Sequence, residues 1–427
     1  VAGTGHPGGS DYVRQGESIT LLRHRAPQLT EGQAGRIAHA LGDLPLAQAG
    51  AHLADTAIGV EDYLTLPAER TTELLAHAPP ATYPVSLSAS VHIALDRLIV
   101  QSPAALVLLS LAAYLAPEPI PLALFSSNPV QLPEPLSSVA RDLVAFTALT
   151  RLLRQYGLAR IESATLVLHR LLAAILRTQP HQHQDLPACA VRLLRAAVPA
   201  DDSRRNPPVW PAWRQFLPHV LVATDTHRHL IGVEEDVAWL LERAAQYLQT
   251  RGDAASARPL FERARNLRRA LLGADHSHTL ESASSLSSNL WVLGQHEQAR
   301  QLAEDTLTRC RRVLGENHPH TLTPAHSLAY ALRELGHYEQ SRQLGEATLT
   351  RCRRVLGEDH PDTLVGAFSL APTLRAVGQY ERACQLGEDT LTHPILGENY
   401  PHILRSTHNL AAALANLGKH DSDSVGD

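Results

Sequence analysis

Four related segments fix what this chain can fold into: Leu272–Leu280, Leu314–Leu322, Leu356–Leu364 and Leu396–Leu404. Their glycines, Gly273, Gly315, Gly357 and Gly397, step by 42, 42 and 40 residues. A second series, Gly252, Gly294, Gly336, Gly378 and Gly418, keeps the same phase. A fixed period near 40 residues marks stacked supersecondary units rather than one closed core. Within a period, Leu322, Ala325, Leu328, Ala329, Leu332 and Leu335 recur at helical spacing. Gly336 then ends that helix, and a second pattern runs from Glu339 to Leu356 before Gly357. The unit is therefore a helix, a tight turn, a longer helix and a polar loop. Pro319 and Pro361 suit a first helical turn, and Thr321, Asp362 and Thr363 suit the same end.

The small residues needed where the two helices touch are Ala245, Ser287, Ala329, Ala371 and Ala411 in the first helix. In the second they are Ala257, Ala299, Ser341 and Ala383. With His296, Tyr338, Tyr380 and His420 after the turn glycine, this pattern resembles the 42-residue tetratricopeptide repeat of kinesin light chains and many bacterial regulators. Pro372 is expected to kink its helix, and Pro394 falls in a shortened one. The expectation is three good hairpins, one damaged hairpin, a lone final helix and a disordered tail over 421–427. Such an end either continues in a longer chain or is covered by a partner.

The 427 residues suggest about three units. Hydrophobic residues make up 44% and charged ones 19%, as in a soluble globular protein. The formal charge of −5, with no concentrated basic stripe, argues against a nucleic-acid partner. The longest apolar run, Ala104–Ala116, is too short for a membrane span, and no secretory signal opens the chain, so a cytoplasmic location is expected. Cys310 and Cys352 fall at one repeat position, which reads as packing rather than a disulfide framework. There is no Met, and Lys419 is the sole lysine. Val1 is thus either a GTG start or the edge of a longer chain.

The first half does not repeat. Thr30 reads as a helix N-cap, and Pro117–Pro121 as a rigid break. A helix spans Arg141–Tyr156; Leu158–Glu162 and Thr165–Leu168 make a hairpin; His169 opens another helix. Helices followed by a two-stranded hairpin describe a winged helix. The order Leu41-Gly-Asp-Leu-Pro-Leu-Ala47, helices, Tyr156-Gly-Leu-Ala-Arg160 and Leu166-Val-Leu-His-Arg-Leu171 resembles the rear of an NB-ARC switch NTPase, one of the signal-transduction ATPases with numerous domains. The chain is similar over Asp11–Gly418 to bacterial NB-ARC–tetratricopeptide proteins, including those of the FxSxx-COOH system. That resemblance implies nucleotide contacts at Pro45, the proline of the G-x-x-P-L motif, and at His169, the histidine of the M-H-D motif. Leu168 and Arg170 depart from the latter. A phosphate loop needs a lysine, and Gly3–Ser10 has none. The chain is therefore not expected to be an enzyme by itself, and ADP or ATP belongs to it only if an N-terminal nucleotide-binding part exists.

His276, His278, His318, His320 and His360 recur in the inter-repeat loops, and His181 with His183 forms H-x-H. A metal would need these on one layer; helix capping and surface polarity explain them, so no metal is expected. The Arg309–Arg312 and Arg351–Arg354 runs read as cations at helix C-termini. No G-x-S-x-G elbow supports a hydrolytic triad.

The expected fold is mainly α. A helical NB-ARC remnant (1–85) precedes a winged helix (86–180), a helical linker (181–235), a tetratricopeptide α-solenoid (236–420) and the tail. The concave face should present Trp239, Trp291, His326, Tyr330, Arg333, Arg375 and His408, aromatic and Arg side chains that anchor partners. Trp239 and Trp291 equally suit the core. The leading expectation is a scaffold binding a protein or peptide, the sensor half of an NB-ARC-type switch. The alternatives are a standalone adaptor with no nucleotide role and a winged-helix DNA-binding regulator. Self-association stays open.

Overall fold

The computed structural model describes residues 95–156, 158–178, 185–201, 206–228 and 230–391, with residues 19, 20, 23, 29–34 and 36 ahead of them. Pro45, Pro394, His408, the Gly3–Ser10 run, the fifth repeat and the tail lie outside the described residues. Thr30 is the expected cap. Gln33 N–H donates to its hydroxyl at 3.3 Å while Thr30 N–H donates to Gln33 Oε1 at 2.9 Å, a reciprocal capping box.

The chain divides into two compact units, Val1–Val198 with Phe216–Gly232, and Pro199–Gln215 with Val233–Asp427. In the first, residues 95–101 are helical and α1 (Pro103–Ala112) is buried on nearly every side, through Ala104, Ala105 and Val107 to Ala112. A helix apolar all round belongs at the centre of its unit. There follow β1 (Ile120–Pro121), α2 (Ala123–Ser126), a 3-10 turn (Pro129–Gln131), α3 (Leu136–Arg141) and α4 (Leu143–Gln155). The Asp142 carboxylate accepts from Val144 N–H at 2.8 Å and so starts α4 two residues later than expected. Phe146, Leu149 and Leu153 form the buried stripe of α4.

The hairpin is present as β2 (Arg160–Glu162) and β3 (Thr165–Val167), with Ser163 and Ala164 both at positive φ (48° and 64°) in its two-residue turn. The Pro117–Pro121 segment is more than a break. Ile120 pairs with Leu166 and Pro121 with Thr165, giving the antiparallel order β1-β3-β2. Pro121 is tolerated because β1 is an edge strand. Helices α5 (Arg170–Thr178) and α6 (Leu186–Ala197) close this unit, and α7 (Trp210–Ala223) gives residues to both units.

Among the described residues of the second unit eight helices form four hairpins: α8 (Glu234–Thr250) with α9 (Ala254–Leu272), α10 (Ser277–Val292) with α11 (His296–Val313), α12 (Pro319–Glu334) with α13 (Tyr338–Leu356), and α14 (Pro361–Ala376) with α15 (Tyr380–Leu391). Every first helix ends alike. Gly336, at φ 81°, donates to Arg333 C=O and His337 N–H reaches back to Leu332 C=O at 2.9 Å, a Schellman closure repeated at Gly252, Gly294 and Gly378. The next helices start on histidine: His276, His318 and His360 accept from the N–H two residues on, at 3.3, 3.2 and 3.1 Å. The residues expected in that role act elsewhere, since Thr321 and Thr363 donate their hydroxyls back to Gly315 and Gly357 C=O at 2.8 Å.

Small residues hold the paired helices close, with Ala245, Ala257 and Ala299 fully buried. Where serine replaces alanine its hydroxyl finds the facing backbone: Ser287 donates to Ala299 C=O at 3.0 Å and Ser341 to Ala329 C=O at 2.8 Å. Pro372 does not break α14, which runs from Pro361 to Ala376. The fourth hairpin is present through residue 391, where the described residues end. Within the first hairpin, Arg268 of α9 and Glu242 of α8 are both almost wholly buried and joined by a salt bridge. Arg268 also donates to Ser282 at 2.8 Å and to Glu235 at 3.1 Å, and Ser285 donates to Glu242 at 2.8 Å. A buried charge is tolerated when its remaining bonds are satisfied in this way.

Candidate partner-binding groove

The period of 42 places Gln249, Trp291, Arg333 and Arg375 at one position near the C-terminal ends of α8, α10, α12 and α14. One turn earlier stand Ser288, Tyr330 and Pro372, and below them Ser327 and Ser369. All nine line a single cleft of about 620 Å³ along the first helices of the four hairpins. Helix spacing brings residues three apart onto one face, and repeat stacking sets these faces side by side.

At its centre the rings of Trp291 and Tyr330 lie 5.3 Å apart, tilted by 33°. The Arg333 guanidinium sits 5.7 Å from the Tyr330 ring centroid and donates to Glu334 at 2.5 Å. Ser288 and Ser327 hydroxyls are 3.2 Å apart on the floor, and Phe368 adds an apolar wall. Aromatic faces, an oriented guanidinium and hydroxyls suit an extended polypeptide, which brings side chains and unpaired backbone groups together.

Four of the residues expected on this face, Trp291, Tyr330, Arg333 and Arg375, meet in the cleft. Trp239 does not line it and instead lies 5.5 Å beneath the Arg243 guanidinium. His326 is placed in the packing between α12, α13 and α14, with Nε2 3.5 Å from Cys352 Sγ. Burial lowers its pKa to about 4 and raises the Cys352 thiol to about 11, so neither group is primed for proton transfer near neutrality. His169 precedes α5 in the first unit, where its carbonyl accepts from Ala173 N–H at 2.9 Å. Among the described residues no three His, Cys, Asp or Glu side chains gather to hold a metal. No helix among them is long and apolar enough to cross a membrane.

The cleft is also lined by residues outside the expected set, among them Gln249, Ser288, Ser327, Tyr338, Phe368, Ser369 and Pro372. Reading each repeat position down the period, rather than picking large side chains, would have found them.

The tetratricopeptide repeat model matches residues 236–307, 283–351 and 324–394. The four hairpins are thus a tetratricopeptide α-solenoid, a module that serves as a protein-interaction scaffold. Solved structures similar to the chain include a putative kinesin light chain from Podosopora anserina with nearly identical TPR-like repeats. It is 22% identical over 51% of this chain and 100% of its own, with a TM-score of 0.37. BtubC (BKLC) from P. vanneervenii is 18% identical over 53% of this chain and 84% of its own, with a TM-score of 0.37. A signal transduction ATPase with numerous domains, with a tetratricopeptide repeat sensor, from Pyrococcus horikoshii is 10% identical over 93% of this chain and 62% of its own, with a TM-score of 0.35. No curated protein matches the sequence.

Proposed function

We propose that this chain is a regulatory scaffold that captures a protein or peptide segment in the cleft of its repeat array, as the sensor half of an NB-ARC-type switch. The observation that carries the reading is the meeting of Trp291, Tyr330, Arg333 and Arg375 on one cleft from three different repeats. Large aromatic and Arg side chains contribute most of the energy of protein interfaces. The switch assignment rests on the resemblance around His169 and on the first unit. A three-stranded sheet of order β1-β3-β2, with α2, α3 and α4 between β1 and β2, supports the winged-helix reading.

Peptides selected on the full-length chain from a random display library test the cleft. They should lose at least tenfold in affinity on Tyr330→Ala, with the melting curve retained. Selected peptides that bind the variant unchanged would remove the cleft from the account. Binding of a fluorescent ADP analogue to the full chain, weakened by His169→Ala, would support the switch assignment. A chain that ignores ADP while still binding peptides would be a standalone adaptor.

A further inference from the structure

Successive repeats do not meet in the same way. One position on the second helices packs against a leucine of the following first helix, and its occupant shrinks along the array. Phe261 shares a buried cluster with Leu286, Ala303 shares one with Leu328, and Gly345 stands opposite Leu370. A position on the first helices reads Ser282, Pro324 and Gly366 in the same order. The junction of the first and second repeats is therefore filled by the Phe261 ring, 2% exposed, and is tied by the bonds of Arg268 to Ser282 and of Ser285 to Glu242. At the junction of the third and fourth, Gly345 and Gly366 stand in place of the ring and the serine. Both lie inside helices, α13 and α14, where glycine weakens the element. The His326 ring takes the space at Gly366, and a cavity of about 10 Å³ remains beside the two glycines. Leu349 and Leu370 still share a buried cluster across this junction. The ion pair that crosses it, Arg382 with Glu346 at 2.9 Å, has an arginine that is 59% exposed, and such pairs contribute little.

We infer that the junction of the third and fourth repeats is the joint of the array, at which α14 and α15 part from α13 as a unit while the first three repeats stay stacked. In a stacked array each repeat touches only its neighbours, so each interface has its own stability. The interface with the fewest buried apolar contacts opens first. The joint lies against the cleft, since Tyr330 and Ser369 line both the cleft and the small cavity. Phe368, Ser369 and Arg375 of α14 form one wall of the cleft, and parting the joint moves them away from Trp291 and Tyr330. The joint thus sets the width of the cleft whatever occupies it, and it stands apart from the scaffold reading.

Two cysteines report the joint. Cys310 and Cys352 are both fully buried and share one repeat position, and their flanking segments, Leu307–Gly315 and Leu349–Gly357, are identical in sequence. Cys310 belongs to the junction of the second and third repeats, Cys352 to the joint. Burial raises both thiols to about 11, so neither reacts until its junction opens. The native full-length chain is labelled with iodoacetamide and the modified peptides are followed by mass spectrometry. Cys352 should be modified about tenfold or more faster than Cys310, because labelling of a buried group tracks local opening. Gly345→Ala gives the joint the residue of the preceding junction, with only the terminal methyl of Leu370 to move. It should slow Cys352 about threefold and leave Cys310 unchanged. Ala303→Gly should do the reverse and speed Cys310. Equal rates at the two cysteines would mean that the array opens as one body, and the joint would be overturned. A fast Cys352 that ignores Gly345→Ala would overturn it as well, since the glycine would then not set the opening. Hydrogen exchange separates a parting of helices from a melting of α13. The amides of α14 and α15 should open together with α13 still protected, and α13 exchanging in step with them would contradict the inference.

Discussion

The imidazole of His326 occupies the space a side chain at Gly366 would need: a Cβ placed there would lie 2.6 Å from His326 Cε1. The two residues belong to successive repeats, and their equivalents in the preceding pair are Ser284 and Pro324. A large residue in α12 is thus matched by the absence of one in α14. Gly366→Ala should destabilise the chain by about 1–3 kcal/mol, the usual cost of overfilling a packed interior. His326→Ala should relieve that cost when the two are combined, since contacting residues are not additive. Thermal melts of both single variants and the double variant measure the coupling; additive losses would mean the ring has room to move.

His326 also makes the third repeat acid-sensitive. The folded chain takes up its proton only at about 4, against 6.5 for a free imidazole, because burial disfavours the charged ring while Asp362 partly offsets this. Between those values the unfolded chain binds more protons, so this contribution is complete above pH 6.5 and fades as pH falls toward 4. Its full size is on the order of 3 kcal/mol. Urea unfolding at pH 7 and pH 4.5 should show a larger loss for the parent chain than for His326→Gln. Identical losses would place the sensitivity elsewhere.

Histidine at the start of α12 is a structural cap. His318 Nδ1 accepts from His320 N–H at 3.2 Å, and the same bond recurs at His276 and His360. His318→Ala should cost about 1 kcal/mol, and His318→Asn much less, as cap substitutions do. An alanine variant as stable as the parent would show that the loop is held by Thr321 and Gly315 alone.

Arg268 and Glu242 share a buried salt bridge within the first repeat, and Ser282 and Ser285 of the second repeat bond to it. Glu242→Gln should leave the buried guanidinium only the more exposed Glu235 carboxylate and cost up to roughly 3–5 kcal/mol, whereas Arg268→Met with Glu242→Leu should cost far less. Urea denaturation of the three proteins separates the cases. A mild Glu242→Gln variant would mean water reaches the pair.

How much of this was legible depends on range along the chain. The hairpins announced themselves through Gly294, Gly336 and Gly378, because a Schellman closure is a local event that demands a positive φ. The short hairpin is legible from its flanking segments, Leu158–Glu162 and Thr165–Leu168, although Ser163 and Ala164 give no sign of their positive φ. β1 was not: Ile120–Pro121 is two residues long and is a strand only because β3, more than forty residues later, pairs with it. The histidine caps were visible as a repeated polar position but were credited partly to Thr321 and Asp362, since imidazole is not among the preferred cap residues. In the cleft, Trp291 and Tyr330 were found because they are large. Ser288 and Ser369 went unnoticed because serine carries no signal until neighbouring repeats bring it to a shared floor. His326 reads as a concave-face residue, since nothing in its own repeat shows that Gly366 has left room for it.

The central claim is that partners dock along the first helices of the hairpins. Hydrogen exchange of the full-length chain, with and without a display-selected peptide, tests it most directly. The account predicts slowed exchange at the C-terminal turns of α10, α12 and α14, around Trp291, Arg333 and Arg375, with α11 and α13 unchanged. Protection confined to α11 and α13, or to the first unit, would contradict it.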